Sequence, residues 1–402
     1  MHTNNLITPP LLGIFNDCFP PIMDGVSVTT RNYAYWLHRK TGNACVVTPR
    51  YPLYRDEEPY PVYRYTSLPI PLRKPYRMGF PRIDWTFTGR LSRLPFGLVH
   101  AHCPFSSGNL AMRIARERHI PIVATFHSKY RADFERIIPT KYIVDRILRR
   151  LIHFYEQADE VWIPQASVEE TLREYGYRGP VEVMDNGSDL APEEAIISFR
   201  KEARESLGIA PGEPVFLFVG QHIWEKNIAF LLDALTDLTD LPFRMFFIGS
   251  GYAEKEIRQL ADTLRLTGRI SFRGPVTDRD VLKKFYAAAD LFLFPSRYDN
   301  APLVVREAAA LETPSLLLEG STAAQVIRDG VNGYLSPDHP EAYANRIRQL
   351  LTRPEALRRS GREAARTISR PWSEIIEEVF DRYTHLIRRK CRQTPLAVPQ
   401  LL

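Results

Sequence analysis

Asp299 and Glu307 stand eight positions apart in FPSRYDNAPLVVREA, residues 294–308. An apolar run ends just before Asp299, and a helical pattern carries Glu307. The two carboxylates therefore occupy different heights of one cleft wall. Between them, Ala301, Pro302 and Leu303 open a helix that begins with proline, the residue favoured at a first helical position. A helix start offers unpaired N–H groups and a partial positive charge to an anion. Strand, loop, helix start and deeper carboxylate together read as a cradle for a phosphate attached to a hydroxylated group. In the first half, His100 and His102 alternate along an apolar run and share one side of it, with Ala101 opposite. His127 follows a second such run. No cysteine or acid completes a zinc spacing with these histidines, and no metal is expected at the site.

The elements that must position these residues alternate along the chain. Candidate strands Leu11–Phe15, Cys45–Thr48, Leu98–Ala101, Ile122–Thr125 and Val161–Ile163 are short and nearly all apolar, as parallel strands buried on both faces are. Helical patterns fall between them at Val28–Arg39, Leu110–Arg118 and Tyr142–Gln157. The alternation restarts at Val215–Val219 and runs through Met245–Ile248, Ile270–Phe272, Leu291–Phe294 and Ser315–Leu318. Two rounds imply an α/β chain of two doubly wound, Rossmann-like domains. Gly187, Pro192, Pro211, Gly212 and Pro214 mark a boundary region near 187–213 around a helical piece at Phe199–Leu207. Tyr51–Pro81, rich in Pro, Tyr and Arg, reads as a long irregular loop with short strands. Gly25 sits between Asp24 and a helix starting near Val26 or Ser27. Glycine there permits a positive φ and close approach of a ligand, at a sheet edge where ligands bind in such folds. Asp278-Arg279-Asp280 spells a D-x-D, but its place at a helix start reads as capping rather than metal binding.

Pro295, Ser296, Asp299 and Glu307 resemble the P-S-x-x-E-x7-E pattern of glycosyltransferase family 4 of the GT-B group, with Asp299 in place of the first acid. Gly220-Gln221-His222-Ile223-Trp224-Glu225-Lys226-Asn227 resembles the family's G-R-x-x-x-x-K-G segment. Lys226 fits, Gln221 replaces the arginine and Asn227 the second glycine. Gly249 lies in a G-x-G turn, Phe272–Val276 resembles the segment that reads the nucleotide base, and Asp329–Tyr334 the late D-G-x-N-G turn. The resemblance implies two GT-B domains facing across a cleft: an acceptor-side domain 1–187, a nucleotide-sugar domain 188–372, a terminal helix about 373–390 crossing back onto the first domain, and a flexible tail 391–402. It implies retaining transfer of a hexosyl group from a UDP- or GDP-sugar, with no cofactor. Glu307 would bind ribose hydroxyls. Lys226 would hold the diphosphate beside Gly25, Gly220, Gln221 and Gly249, and Asp299, Asn300, Ala301, Pro302 and Leu303 would line sugar and phosphate. Catalytic roles fall to His127, Lys226 and Asp299, with Asp24, His102, Lys129 and Arg131 on the acceptor side. With one cation lost at Gln221, the helix start and Arg297 must carry more of the diphosphate charge.

Composition is that of a globular protein, with 44% hydrophobic and 25% charged residues, and the 402-residue length suits two cores. The four cysteines are scattered and read as reduced thiols. Leu11–Phe15, with no basic region before it, does not match a secretory leader. A cytoplasmic location, peripheral on the inner face of the cell membrane, is the expectation. Residues 60–155 hold 17 Lys or Arg against 5 Asp or Glu, a balance of +12, so a net +6 leaves −6 elsewhere. Arg73, Lys74, Arg77, Arg82, Arg90 and Arg93, with the basic back of the Lys141–Tyr155 helix, suit an anionic membrane surface. No nucleic-acid motif accompanies this charge. A membrane lipid or glycan acceptor is expected, and a soluble sugar or sugar phosphate is the rival. The 299–325 stretch resembles bacterial family members that glycosylate diacylglycerol. Two other classes share the architecture: a nucleotide-sugar epimerase, and a non-catalytic nucleotide-sugar-binding protein.

Overall fold

The computed structural model describes residues 10–71, 75–190 and 195–393. Arg73, Lys74, Pro192 and the tail beyond Gln393, all used in the sequence reading, lie outside them. Backbone contacts divide the chain in two. Unit 1 runs to Asn186 and resumes at Trp372; unit 2 is Gly187–Pro371.

Unit 1 carries β1 (Leu11–Phe15), β2 (Ala44–Pro49), β3 (Val62–Tyr65), β4 (Ser67–Pro69), β5 (Arg77–Gly79), β6 (Phe96–Ala101), β7 (Ile122–Thr125), β8 (Glu160–Ile163) and β9 (Glu182–Val183). A seven-stranded parallel sheet has the order β3-β2-β1-β6-β7-β8-β9, and β4 pairs antiparallel with β5 as a separate hairpin. Tyr51–Pro81 carries the short strands expected of it: β3 joins the main sheet and the hairpin follows it. Unit 2 carries β10 (Val215–Val219), β11 (Arg244–Ile248), β12 (Ile270–Phe272), β13 (Leu291–Phe294), β14 (Ser315–Leu318) and β15 (Tyr334–Ser336). Its sheet is parallel throughout, in the order β12-β11-β10-β13-β14-β15. Every residue of β10, β13 and β14 is buried. Helices cover both faces, which is why the strands read as unbroken apolar runs.

The helix Trp372–Gln393 belongs to unit 1. Trp372, Ile375, Ile376, Val379, Tyr383 and Leu386 recur at helical spacing and are all buried. Arg382 donates to Glu160 at 2.9 Å and Lys390 to Asp159 at 2.7 Å, fixing the helix at the head of β8. The segments entering and leaving unit 2 pair where Ser188 N donates to Arg370 O at 2.8 Å. The Gly/Pro-rich boundary region 187–213 begins where unit 2 begins, at Gly187. Its helix, Ile196–Ser206, sits in unit 2, with Arg200 and Arg204 on Asp290 at 2.7 and 3.2 Å. Gly187 stands at the edge of unit 2, and Pro211, Gly212 and Pro214 lie inside it.

Candidate active site

In an open parallel sheet, ligands bind beyond the carboxyl ends of the strands, where the strand order reverses. Unit 2 reverses between β10 and β13, because β10 is followed by β11 on its other side. The loops after β10 and β13 meet there. Lys226 Nζ donates to Asp299 Oδ1 at 2.5 Å, and Ser296 Oγ donates to Asp299 Oδ2 at 2.5 Å. Both members of the ion pair are largely buried, at 11% and 16% side-chain exposure. Lys226 also lies 5.7 Å from the Phe294 ring centroid and 5.6 Å from that of Tyr298. A desolvated ammonium flanked by aromatic faces is held in one place, as an anion-binding cation must be.

The backbone explains how the loop reaches this position. Asn227 takes a left-handed conformation, φ 60°. Asparagine tolerates that region better than other residues with a side chain, so it serves where the family pattern has glycine. Its Nδ2 donates to Pro295 O at 3.2 Å, tying the β10 loop to the β13 loop. Gly249 has φ 130°, and a Cβ there would lie 1.9 Å from Gly220 O. Only glycine lets the loops after β10 and β11 touch. Gln221 is half-buried in the same loop. After β13, Asn300 and Pro302 are buried and Ala301 half-buried. The helix is Leu303–Ala310, with Pro302 in extended conformation at its N-cap. The proline, expected as the first helical residue, thus stands one position earlier, where its carbonyl accepts from Val305 N at 3.3 Å and no side chain caps the helix.

Glu307 is buried in that helix, with 6% exposure. Its Oε2 accepts from Tyr286 OH at 2.7 Å and its Oε1 from Arg279 at 2.8 Å. Arg279 also pairs with Asp189. Burial opposes the Arg279 charge, but Glu307 and Asp189 more than offset this and hold the guanidinium protonated. Burial, then the Glu307 charge, pushes the Tyr286 hydroxyl well up. Tyr286 therefore remains a donor and Arg279 a cation, and both orient the carboxylate. The D-x-D stretch divides its work: Asp278 caps the helix Arg279–Ala288, accepting from the N–H groups of Asp280 and Val281 at 2.9 and 3.2 Å. Arg297, expected to help with phosphate charge, is instead paired with Asp338 and 59% exposed.

Unit 1 reverses between β1 and β6. Asp17, just past β1, accepts from Tyr65 OH at 3.1 Å, Cys103 Sγ at 2.8 Å and Ser107 N at 3.1 Å. It thereby covers the start of the helix Ser106–Arg118, which has no capping side chain of its own. Asp24 is the N-cap of the helix Gly25–Thr41, accepting from Ser27 N at 2.8 Å, and also takes Tyr76 OH at 3.0 Å. The helix starts at Gly25, earlier than expected. Gly25 is not among the glycines with positive φ, so the freedom to adopt one is unused. Nothing lies within 4 Å of a Cβ built there, so the space over it is open.

His100 and His102 do share one side of β6, their rings stacked with centroids 4.1 Å apart. His100 bonds Tyr383 OH at 2.5 Å and Thr125 Oγ1 at 2.6 Å. His102 Nδ1 lies 3.0 Å from His127 Nε2, and those rings also stack. Burial pushes the His127 ring down to about 3, and holds His100 and His102 well below the usual imidazole range. All three are neutral near pH 7 and act as hydrogen-bonding groups rather than cations. Lys129 precedes the helix Tyr130–Glu135. Arg131 is committed to Asp145 at 2.9 Å and Glu135 at 3.3 Å, over the Tyr175 ring. Its charge is therefore balanced internally, unlike that of a free acceptor-side cation.

Residues 199–367 match the family described as Glycosyl transferases group 1, and residues 23–192 match Glycosyltransferase Family 4. An alpha-monoglucosyldiacylglycerol synthase of Streptococcus pneumoniae is 24% identical over 380 residues, 93% of this chain and 84% of that protein. A D-inositol 3-phosphate glycosyltransferase of Streptomyces bingchenggensis is 29% identical over 73% of this chain and 67% of that protein. Sucrose-phosphate synthase from Thermosynechococcus elongatus superposes with a TM-score of 0.78 at 20% identity, covering 94% of this chain and 99% of that one. Anabaena HepE in complex with UDP and glucose gives 0.74 at 18% identity, over 93% and 99%. The chain is a GT-B glycosyltransferase.

In this glycosyltransferase, sequence reasoning missed Arg279, Tyr286, Asp189 and Asp17. Arg279 was legible only as the middle of D-x-D, where attention falls on the acids. The signal for Asp17 was its place two residues past a strand, the same kind of position that carries His127.

Proposed function

We propose that this glycosyltransferase is a retaining hexosyltransferase that uses a UDP- or GDP-sugar, with a membrane lipid or glycan as acceptor at the cytoplasmic face. The donor lies on unit 2. Lys226 and the Leu303 helix start take the diphosphate charge, in place of a divalent ion. Glu307, oriented by Arg279 and Tyr286, takes the ribose hydroxyls through charge-assisted hydrogen bonds. Asp299, Asn300 and Ala301 face sugar and phosphate. On unit 1, His127 donates a hydrogen bond to the transferred sugar as a neutral imidazole. Asp24, His102, Lys129 and Arg131 stand on the acceptor side, with Arg131 acting through its packed position rather than free charge. In the reaction the bond from the anomeric carbon to the phosphate oxygen breaks. The acceptor oxygen bonds to that carbon on the same face, and the acceptor proton passes to the leaving phosphate. Stabilising that departing charge is the task of Lys226.

The observation that carries this reading is the desolvated Lys226–Asp299 pair at the β10/β13 reversal, next to a carboxylate held rigidly by two donors. Lipid as acceptor is supported by the names of the diacylglycerol-glucosylating relatives in Streptococcus pneumoniae and Acholeplasma laidlawii, and by the +12 balance over residues 60–155. That balance also supports attachment to an anionic membrane. Lys226→Ala and Glu307→Ala are expected to remove detectable transfer from nucleotide sugars to lipid acceptors while leaving the fold intact, with a lowered unfolding temperature because each takes a partner from a half-buried charge. Near-native rates in both would overturn the site. Donor incubated alone that yields a new sugar would make the chain an epimerase instead.

A further inference from the structure

Unit 1 exposes large apolar side chains where a water-soluble surface has no use for them. Leu68 of β4 and Met78 of β5 are directly opposed in the hairpin register and are 58% and 54% exposed. Just beyond, Ile83 is 67% exposed and Trp85, the first residue of the helix Trp85–Leu91, is 84% exposed. Opposed residues on a two-stranded ribbon point to the same side. That helix is anchored from beneath: Asp84 caps it at Phe87 N, 3.0 Å, and takes Thr66 Oγ1 at 2.8 Å, while Phe87 and Leu91 enter the core. The apolar group is therefore displayed on a fixed base, and the core already has its own side chains.

The charge around it selects the partner. Arg82, Arg90 and Arg93 are exposed, and among the described residues none has a carboxylate partner. Unit 1 has a second basic face, on the helix Lys141–Glu156, separate from the arginines beside the apolar group. Arg146, Arg149, Arg150 and His153 lie along its outer face at i, i+3, i+4 and i+7 and line a surface depression of about 360 Å³. Its Ile143 is 46% exposed. Scattered exposed apolar residues need no explanation, but a cluster bordered by uncompensated cations has the character of an interfacial membrane contact, with an aromatic ring at headgroup depth.

We propose that Leu68, Met78, Ile83 and Trp85 insert into the headgroup–acyl boundary of an anionic phospholipid bilayer. This rests on the membrane reading above and adds an apolar, salt-resistant component to an electrostatic one. The partner is the bilayer, whose negative surface complements the arginines.

The test uses the full chain with vesicles of phosphatidylglycerol and phosphatidylcholine, compared at low and high salt, and a Leu68→Ser/Met78→Ser/Ile83→Ser/Trp85→Ser variant. The wild type should keep measurable binding at high salt, where screening removes the arginine contribution. The variant should lose it, with at least about tenfold weaker partitioning, while still binding at low salt. Trp85 fluorescence should be quenched by acyl-chain-brominated lipid, and the quenching should be absent in Trp85→Phe. All four positions are exposed, so the variant is expected to fold. Wild-type binding lost entirely at high salt, with the variant equal to wild type at low salt, would overturn insertion and leave the electrostatic reading standing. No vesicle binding at any salt would overturn both. A change of oligomeric state in the variant without vesicle binding would assign the patch to a second copy, against the proposal.

Discussion

At the residue scale, the donor site is a problem in charge. In the proposed donor site Gln221 would supply no cation, so Lys226 would be the cation of the phosphate cradle, and Asp299 already holds it at 2.5 Å. A diphosphate arriving at Lys226 therefore competes with a carboxylate built into the site. Asp299→Asn should tighten UDP or GDP binding, by about threefold or more if a charge-assisted bond becomes a neutral one, and should lower transfer. Isothermal titration beside a turnover assay would read both; weaker nucleotide binding in the variant would contradict the competition. Glu307 gives a second case. Arg279→Gln removes a donor from a buried carboxylate, and the donor KM should rise about tenfold with a smaller change in kcat. Arg279→Lys should restore part of the loss, whereas a merely structural lysine would restore unfolding temperature only. Glu307 and Lys226 were legible in the sequence because acid, proline and lysine occur at family spacings. Arg279 was not, because what it touches is 28 positions away, on a neighbouring helix that only the fold brings beside it.

At the element scale, short loops decide the geometry. Asn227 ends a 3₁₀ turn in left-handed conformation, so the useful comparison is conformational. Both Asn227→Gly and Asn227→Ala lose the bond to Pro295 O, but Asn227→Ala should cost about 1 kcal/mol more than Asn227→Gly and misplace Lys226. Chemical denaturation of the two variants checks this, and equal stability would show that φ is not the constraint. Elements themselves were the most readable part of the chain. β1, β7, β10, β13 and β14 run where mostly apolar stretches placed them, because strands buried on both faces carry few polar residues to obscure the pattern, and the half-buried β12 is also where its apolar stretch placed it. Edges were less readable. β9, two residues long and exposed, has no apolar run to announce it, and the β4–β5 hairpin is hidden in a stretch dominated by Pro, Tyr and Arg.

At the scale of the whole molecule, the helix Trp372–Gln393 joins the chain's end to its first unit, and it closes a buried cluster around His100. Tyr383 OH bonds His100 Nδ1, and Tyr383 stacks on Trp162 with centroids 5.6 Å apart. Three neutral histidines in that cluster make stability depend on pH. Their folded pKa values are depressed, so below about 6.5 the unfolded chain binds more protons than the folded one. Stability is full above that pH and falls as pH decreases from 6.5 toward about 3, where His127 also titrates in the folded state. The slope is at most about 1.4 kcal/mol per pH unit for each ring. Denaturation series at pH 7 and pH 5 should show the loss, and His127→Gln should make it shallower; a pH-independent midpoint would refute it. The sequence alone determined two rounds of parallel β-α units and singled out the acids, lysine and histidines proposed for the site, because buried strands and local motifs leave marks along the chain. Only the tertiary structure decided that Lys226 is held by Asp299, that Arg279 orients Glu307, and that three histidines stack. Those contacts join residues distant in sequence, and no local pattern records which side chains a folded sheet brings face to face.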